Sequence, residues 1–256
     1  MSDAALQVSG LGKSFGGVKA ISDVSFAVPQ ASLTALIGPN GAGKTTLFNL
    51  VTNLYPADQG DVLFHGQSIL GRGAGEIAAM GLIRTFQTAR IFPGMTAGEN
   101  AMAGAHLHVK HGAWQQMLWL GPARREERRL AAKADALLEL VGLAPFRDMA
   151  ATDLPMGGLK LLEVVRALMA GPRLLLLDEP AAGLNDAETA DLAELLRAVR
   201  DSGITVIVVE HNMSLVMGVA DQVIVLDAGA IVASGTPREI QQDKRVIAAY
   251  VGAEVA

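Results

Sequence analysis

A chain of 256 residues, half of them apolar, is long enough to bury a large core, either as one α/β domain or as a core with a smaller lobe. Its 26 acidic and 21 basic residues leave a formal charge of −5. That balance argues against a nucleic-acid surface, because phosphate backbones select basic stripes. The absence of cysteine excludes disulfides and thiolate metal sites and fits a reducing compartment.

Met1 to Gly10 carry Asp3 but no basic start followed by an apolar run, so no signal peptide is expected. Leu6 to Phe15 and Ala20 to Val28 alternate apolar with polar or small residues, which predicts half-buried antiparallel strands. Leu33 to Ile37 is a short apolar run, followed by a glycine-rich turn and a helix predicted from Gly43 to about Asn53. Asp61 to Phe64 and Leu82 to Phe86 read as further strands. From Thr88 to about Ala170 the pattern is helical: Leu130, Ala134, Leu137, Leu138 and Val141 share one face, as do Leu161, Val165, Leu168 and Met169. Strands at Leu174 to Leu177, Ile204 to Val209 and Gln222 to Leu226 then alternate with a helix over Asp186 to Arg200. Those apolar runs have the length of buried strands, well short of the ~18–20 residues of a membrane span. Short, continuously apolar strands separated by helices predict a mainly parallel central sheet covered on both faces.

Gly38-Pro39-Asn40-Gly41-Ala42-Gly43-Lys44-Thr45 fits the phosphate-loop pattern at every fixed position, between a buried strand and a helix. Its glycines let backbone N–H groups converge on phosphate oxygens, and the helix start adds a favourable dipole. Lys44 supplies positive charge to the β- and γ-phosphates, the Thr45 hydroxyl suits Mg²⁺, and Thr46 belongs to the same nucleotide-binding stretch. A second half of the site is expected from Leu174-Leu175-Leu176-Leu177-Asp178-Glu179, a dry strand delivering two carboxylates to the sheet edge where ligands bind. Asp178 suits Mg²⁺ coordination through water. Glu179 then faces the attacking water, as general base or as its orienter. The implied ligands are ATP and Mg²⁺.

Further residues narrow the class: Gln87 in Arg84-Thr85-Phe86-Gln87, then Leu154-Pro155-Met156-Gly157-Gly158, Ala181-Ala182-Gly183-Leu184-Asn185, and His211 after the next strand. In this order they resemble the ABC ATPase family over essentially the whole chain. The resemblance implies an α/β fold: a P-loop NTPase core with a mainly parallel sheet, an antiparallel N-terminal β subdomain and a helical insertion subdomain. Residues 1–87 and 167–236 form the core, 88–166 the helical subdomain with the signature loop, and 237–256 a C-terminal helical tail. It assigns Gln87 to the loop that senses Mg²⁺ and the transmembrane partner, His211 to the γ-phosphate, and Phe15 to the aromatic that stacks on adenine. Asn185 falls where the family usually has a loop aspartate.

The signature loop departs from the family's Leu-Ser-Gly-Gly-Gln: Pro155 replaces Ser, Met156 the first Gly, and Gly158 the Gln. In the family this loop reaches across a dimer to the partner's ATP. Pro155 offers neither hydroxyl nor N–H, leaving the N–H groups of Gly157 and Gly158 and the helix dipole. Paired with a different ATPase subunit, such a chain would build two unequal sites, the one on its own P-loop hydrolysing faster.

Several runs look like the ATPase of branched-chain amino acid importers: Glu179 to Asn185, Ile83 to Gln87 with Phe92 and Met95, Glu210-His211-Asn212-Met213, the insertion from about His106 to Arg124, and Val246 to Gly252. The resemblance implies transmembrane permease partners, a homo- or heterodimer of ATPase subunits, an extracytoplasmic solute-binding protein engaged indirectly, no nucleic acid, and a peripheral location on the cytoplasmic face of the membrane. Other cargo such as urea, amides or other amino acids stays open, as do a lipid exporter, a non-transport ABC ATPase and a subunit that holds ATP without cleaving it. His106, His108 and His111 lack a completing carboxylate or thiol before Glu126 and read as a solvated loop rather than a metal site. Trp114 and Met117 to Leu120 read as core of the insertion.

Overall fold

The computed structural model describes residues 4–85, 91–108 and 121–253. Strands β1 (Ala4–Phe15) and β2 (Val18–Pro29) form an antiparallel hairpin, joined by β4 (Gln59–Phe64) and the short β5 (Gln67–Ser68) in the order β2-β1-β4-β5. Alternation along β1 buries Leu6, Val8 and Leu11 on one face, as period-two patterning requires.

The second sheet runs β10-β9-β3-β8-β7-β6, with β3 (Leu33–Ile37), β6 (Leu82–Arg84), β7 (Leu174–Asp178), β8 (Thr205–Val209), β9 (Gln222–Asp227) and β10 (Ala230–Gly235). All of its pairings are parallel except β10 on β9. Every residue of β3, β7 and β8 is buried, the expected signature of parallel strands covered on both faces. Helix α1 (Lys44–Val51) lies in the same core: Leu47, Leu50 and Val51 pack among Leu6 and Val62 of the first sheet and Leu176 and Ile207 of the second.

Helices α2 (Ala74–Ala79), α3 (Ala97–Ala103), α4 (Gly121–Leu140), α5 (Met156–Met169), α6 (Asp186–Asp201), α7 (Met213–Val219), α8 (Pro237–Gln242) and α9 (Lys244–Ala253) complete the chain. The predicted stripe on α4 is buried at Ala134 and Leu138 and half-buried at Leu130 and Leu137. Lys133 of α4 donates to the carbonyls of Leu168 (3.1 Å) and Met169 (3.4 Å), satisfying the end of α5. Thr96 and Glu99 form a capping box at the start of α3, and Thr236 and Glu239 another at α8.

Two compact units result: residues 1–84, 173–180 and 196–256 in one, and 85–172 with 181–195 in the other. Among the described residues no helix is long and apolar enough to cross a membrane. The strand predicted over Leu82 to Phe86 ends at Arg84, and Phe86 lies outside the described residues. Elements β5, β10, α2 and α7 have no counterpart in the sequence reading.

Candidate functional site

Three neighbouring strands bring the first unit's site together. Parallel register aligns Leu36 of β3 with Val209 of β8, and Val209 with Asp178 of β7. The chain leaves β3 through the glycine loop, β8 through His211, and β7 through Glu179. All three exits therefore open on the carboxyl edge of one sheet, with strands spaced by about 4.8 Å.

The loop's conformation depends on its glycines at two points. Gly43 caps α1 with φ 101, and a Cβ there would lie 2.7 Å from the Ala20 carbonyl. At Gly38 a Cβ would run into the Leu226 carbonyl. Lys44 Nζ folds back onto the loop, donating to the Gly38 carbonyl at 2.7 Å and the Pro39 carbonyl at 3.0 Å. Burial pushes the Lys44 ammonium below the ordinary lysine value, while the nearby charges of Glu179 and Asp178 oppose that shift. Asn40, Gly41 and Thr45 are exposed, Pro39 and Thr46 half-buried, and Ala42 buried, so the rim of the loop faces solvent and its base is packed.

Asp178 is 3% exposed, and Arg84 Nη2 donates to its Oδ2 at 3.0 Å. Sequence reasoning had only marked Arg84 as part of a run. Glu179 is half-buried with a left-handed φ of 49, its N–H donating to the Val209 carbonyl at 2.9 Å. A bulky residue in that region is strained, a condition that clusters at functional sites. His211 is exposed, and its N–H donates to the carboxylate of the fully buried Glu210 at 3.1 Å, joined by the Asn212 N–H at 3.3 Å. That internal carboxylate fixes the turn on which His211 stands; a Glu beside a His in sequence gave no signal of it.

Phe15, at the end of β1, is 44% exposed and meets Tyr55 edge-on at 5.6 Å. Lys13, whose ammonium is 5.5 Å from the Phe15 ring, pairs with Asp58 at 2.7 Å. Tyr250 of α9 is half-buried, and burial raises its phenol above the ordinary tyrosine value, with the Gly38 backbone nearby opposing that shift, although the hydroxyl makes no hydrogen bond among the described residues. The C-terminal helix thus approaches the phosphate loop, a contact no spacing in the sequence could reveal.

In the second unit, Pro155 caps α5 with φ −62 and ψ 162 and makes no side-chain cap bond. Pro155 and Met156 are exposed, Gly157 and Gly158 buried. Asn185 caps α6: its Oδ1 accepts from the Glu188 N–H at 3.0 Å, and its own N–H donates to Glu188 Oε2 at 2.9 Å. Gln87, His111, Trp114 and Met117 to Leu120 lie outside the described residues. Among the described residues no group of three or more His, Cys, Asp or Glu could hold a metal. Thr45 and Asp178 offer one hydroxyl and one carboxylate. Such a sparse, hard-oxygen pair fits a cation that takes its other ligands from phosphates and water, as Mg²⁺ does.

A phosphate loop between β3 and α1, with paired carboxylates ending β7 on a mainly parallel sheet, is the architecture of an α/β P-loop NTPase. A family model described as ABC transporter matches residues 21–182, and one described as branched-chain amino acid ATP-binding cassette transporter matches residues 230–256. The chain is 41% identical to the high-affinity branched-chain amino acid transport ATP-binding protein BraF of Pseudomonas aeruginosa, and 39% identical to the corresponding LivG of Escherichia coli. Each alignment covers 98% of this chain and 99% of the relative. A solved ATP-binding cassette of an ABC transporter in its ADP conformation superimposes with a TM-score of 0.82 at 30% identity, over 97% of this chain and 99% of that one. The chain belongs to the ABC transporter family, as an ATP-binding subunit. Subunits of this kind are ATPases coupled to transport.

Proposed function

We propose that the chain binds and hydrolyses ATP to drive an ABC importer for branched-chain or other hydrophobic amino acids. It works as a peripheral protein at the cytoplasmic face of the membrane, on transmembrane permease subunits. It pairs with a second ATPase subunit, a copy of itself or a paralogue, and a solute-binding protein engages the permease from the other side. The matches at both ends of the chain support this reading.

Residues 1–87 and 167–236 form the nucleotide-binding core, and the helical segment 88–166 carries the signature loop. Phe15 offers a face to adenine, and the loop N–H groups from Gly38 to Thr46 hold the phosphates, with Lys44 contributing charge to the β- and γ-oxygens. Thr45, Gln87 and Asp178 would hold Mg²⁺, which would neutralise charge on the phosphate oxygens. Glu179 orients the attacking water or accepts its proton, and His211 donates to the γ-phosphate. Gln87 links this site to the permease. The N–H groups of Gly157 and Gly158, backed by the dipole of α5, face the ATP held by the partner subunit. Because the γ-phosphate binds well only in the closed dimer, ATP shifts the permease between its two states by that difference in affinity.

The observation that carries the reading is that β3 and β7 deliver the glycine loop and the two carboxylates to the same edge of one parallel sheet, where both acidic charges act on the Lys44 ammonium; this supports a single shared phosphate site. The test is ATP binding and hydrolysis by purified protein with Mg²⁺, together with uptake of radiolabelled leucine by cells carrying Lys44→Ala in place of the native chain. Loss of hydrolysis and of leucine uptake is expected. Absence of nucleotide affinity in the native protein, or leucine uptake indifferent to Lys44→Ala, would overturn it.

A further inference from the structure

Arg84 stands at the end of β6 with its side chain 10% exposed, so its charge must be matched internally. Nη2 donates to Asp178 Oδ2 at 3.0 Å on β7. Nη1 donates to Asn49 Oδ1 at 2.6 Å and to Thr52 Oγ1 at 3.3 Å, both reached from α1. The guanidinium also lies 5.5 Å from the centre of the Phe48 ring, while Nε has no hydrogen-bond partner. One planar group therefore ties the carboxylate at the end of β7 to the helix that follows the phosphate loop.

Spacing makes that tie specific. Thr45, Asn49 and Thr52 are four and then three residues apart, and so lie on one stripe of the helical path. Thr45 and Asp178, two of the residues that the proposed function gives to Mg²⁺, thus stand on elements joined through Arg84. A carboxylate held at one oxygen by a charged donor loses most of its rotational freedom. Lysine could neutralise Asp178, but as a single point charge it has no rigid fork with which to grasp Asn49 at the same time.

We infer that Arg84 is a positioning residue for the magnesium–triphosphate complex, fixing Asp178 relative to Thr45 by bridging β7 to α1. The inference rests on the ATPase reading. It assigns Arg84 no contact with nucleotide or metal; its effect passes through the orientation of Asp178 and α1, as outer partners of metal ligands act elsewhere.

The test uses the full-length native chain, Arg84→Lys and Asn49→Ala, with binding of a non-hydrolysable ATP analogue measured by calorimetry in EDTA and at graded Mg²⁺. Affinity in EDTA should stay within about twofold of native for both variants, while the Mg²⁺ concentration giving half of the magnesium-dependent gain should rise about tenfold for Arg84→Lys and less for Asn49→Ala. Asn49→Ala leaves the Arg84–Asp178 pair in place, so it remains informative if Arg84→Lys folds poorly. Native magnesium dependence in both variants, or equal weakening with and without Mg²⁺, would overturn the role and leave Arg84 a packing residue. A native chain that binds no nucleotide at all would instead remove the ATPase reading beneath it.

Discussion

Gly157 backs directly onto the carboxylate of Glu188, leaving no room for a methyl group on its Cα. The same carboxylate accepts from the Asn185 N–H at 2.9 Å and so completes the cap of α6. Gly157→Ala must therefore swing the flexible Glu188 side chain aside, and its main cost is the cap bond that this carboxylate makes, about 1 kcal/mol. Removing the obstacle should make the alanine tolerable: in a Glu188→Ala background, Gly157→Ala should cost about 1 kcal/mol less than in the native protein. Urea unfolding of the four proteins of that cycle measures the coupling, and additive costs would show that the two residues do not compete for space.

The backbone at Glu179 yields a reversal of the usual order between alanine and glycine. With φ at 49, any residue bearing a Cβ carries strain of about 1–2 kcal/mol there, which outweighs the greater freedom glycine gains in the unfolded chain. Glu179→Gly is expected to be more stable than Glu179→Ala by about 0.5–1 kcal/mol, with hydrolysis lost in both. Melting temperatures compared side by side decide it. An alanine variant more stable than the glycine one would mean that the carboxylate is held without backbone strain.

The phosphate loop, the acidic strand end and the buried strands were legible because each is written in a contiguous stretch: an apolar run, then a turn whose residues carry the chemistry. The Arg84–Asp178 pair was not, since it joins positions 94 residues apart and becomes visible only once β6 lies beside β7. Burial of Glu210, Lys160 and Glu163 escaped for a related reason. A charged residue reads as solvated until the elements covering it are known, and α5 is packed by both α3 and α4. Strand β10 was invisible because its Ala-Ile-Val-Ala-Ser-Gly sequence is mostly exposed or half-buried and carries no clean alternation. Only pairing with β9 makes it a strand. Asn185, noted in the sequence as a departure from aspartate, keeps the capping geometry that either residue can supply.

Asp58 gives a pH signature. The hydrogen bond from Lys13, reinforced by the Ser14 N–H, holds its carboxyl below the ordinary aspartate value of 3.8. Protonation is therefore harder in the folded chain than in the unfolded one, so the contact stabilises fully above about pH 5 and fades as pH falls through 3.8 and below. The stability difference between native protein and Asp58→Asn should be constant on the neutral side and close on the acid side. Denaturant titrations at a series of pH values read it directly. A gap unchanged down to acid pH would show that the ion pair contributes nothing. Because Asp58 anchors the backbone one residue before Phe15, the variant should also bind ATP more weakly, with adenine selectivity reduced.

Pro155 makes the dimeric reading testable within this chain. It suits the extended cap of α5 but contributes no side-chain hydrogen bond. In the unpartnered subunit, serine there would supply an acceptor for the Gly158 N–H, worth about 1 kcal/mol to the helix, partly offset by the added freedom of the unfolded chain without proline. Net stability should therefore move little. If the signature loop faces the partner's ATP as proposed, the added hydroxyl should reach that nucleotide, and the gain should appear in the partner's site. In an assembled transporter with an unlike partner, Glu179→Gln is expected to silence this chain's own site, leaving the partner's as the remaining source of phosphate release. Adding Pro155→Ser to that background should raise the remaining rate severalfold. An unchanged rate, with the complex intact, would mean that the signature position of this subunit makes no contact that limits turnover.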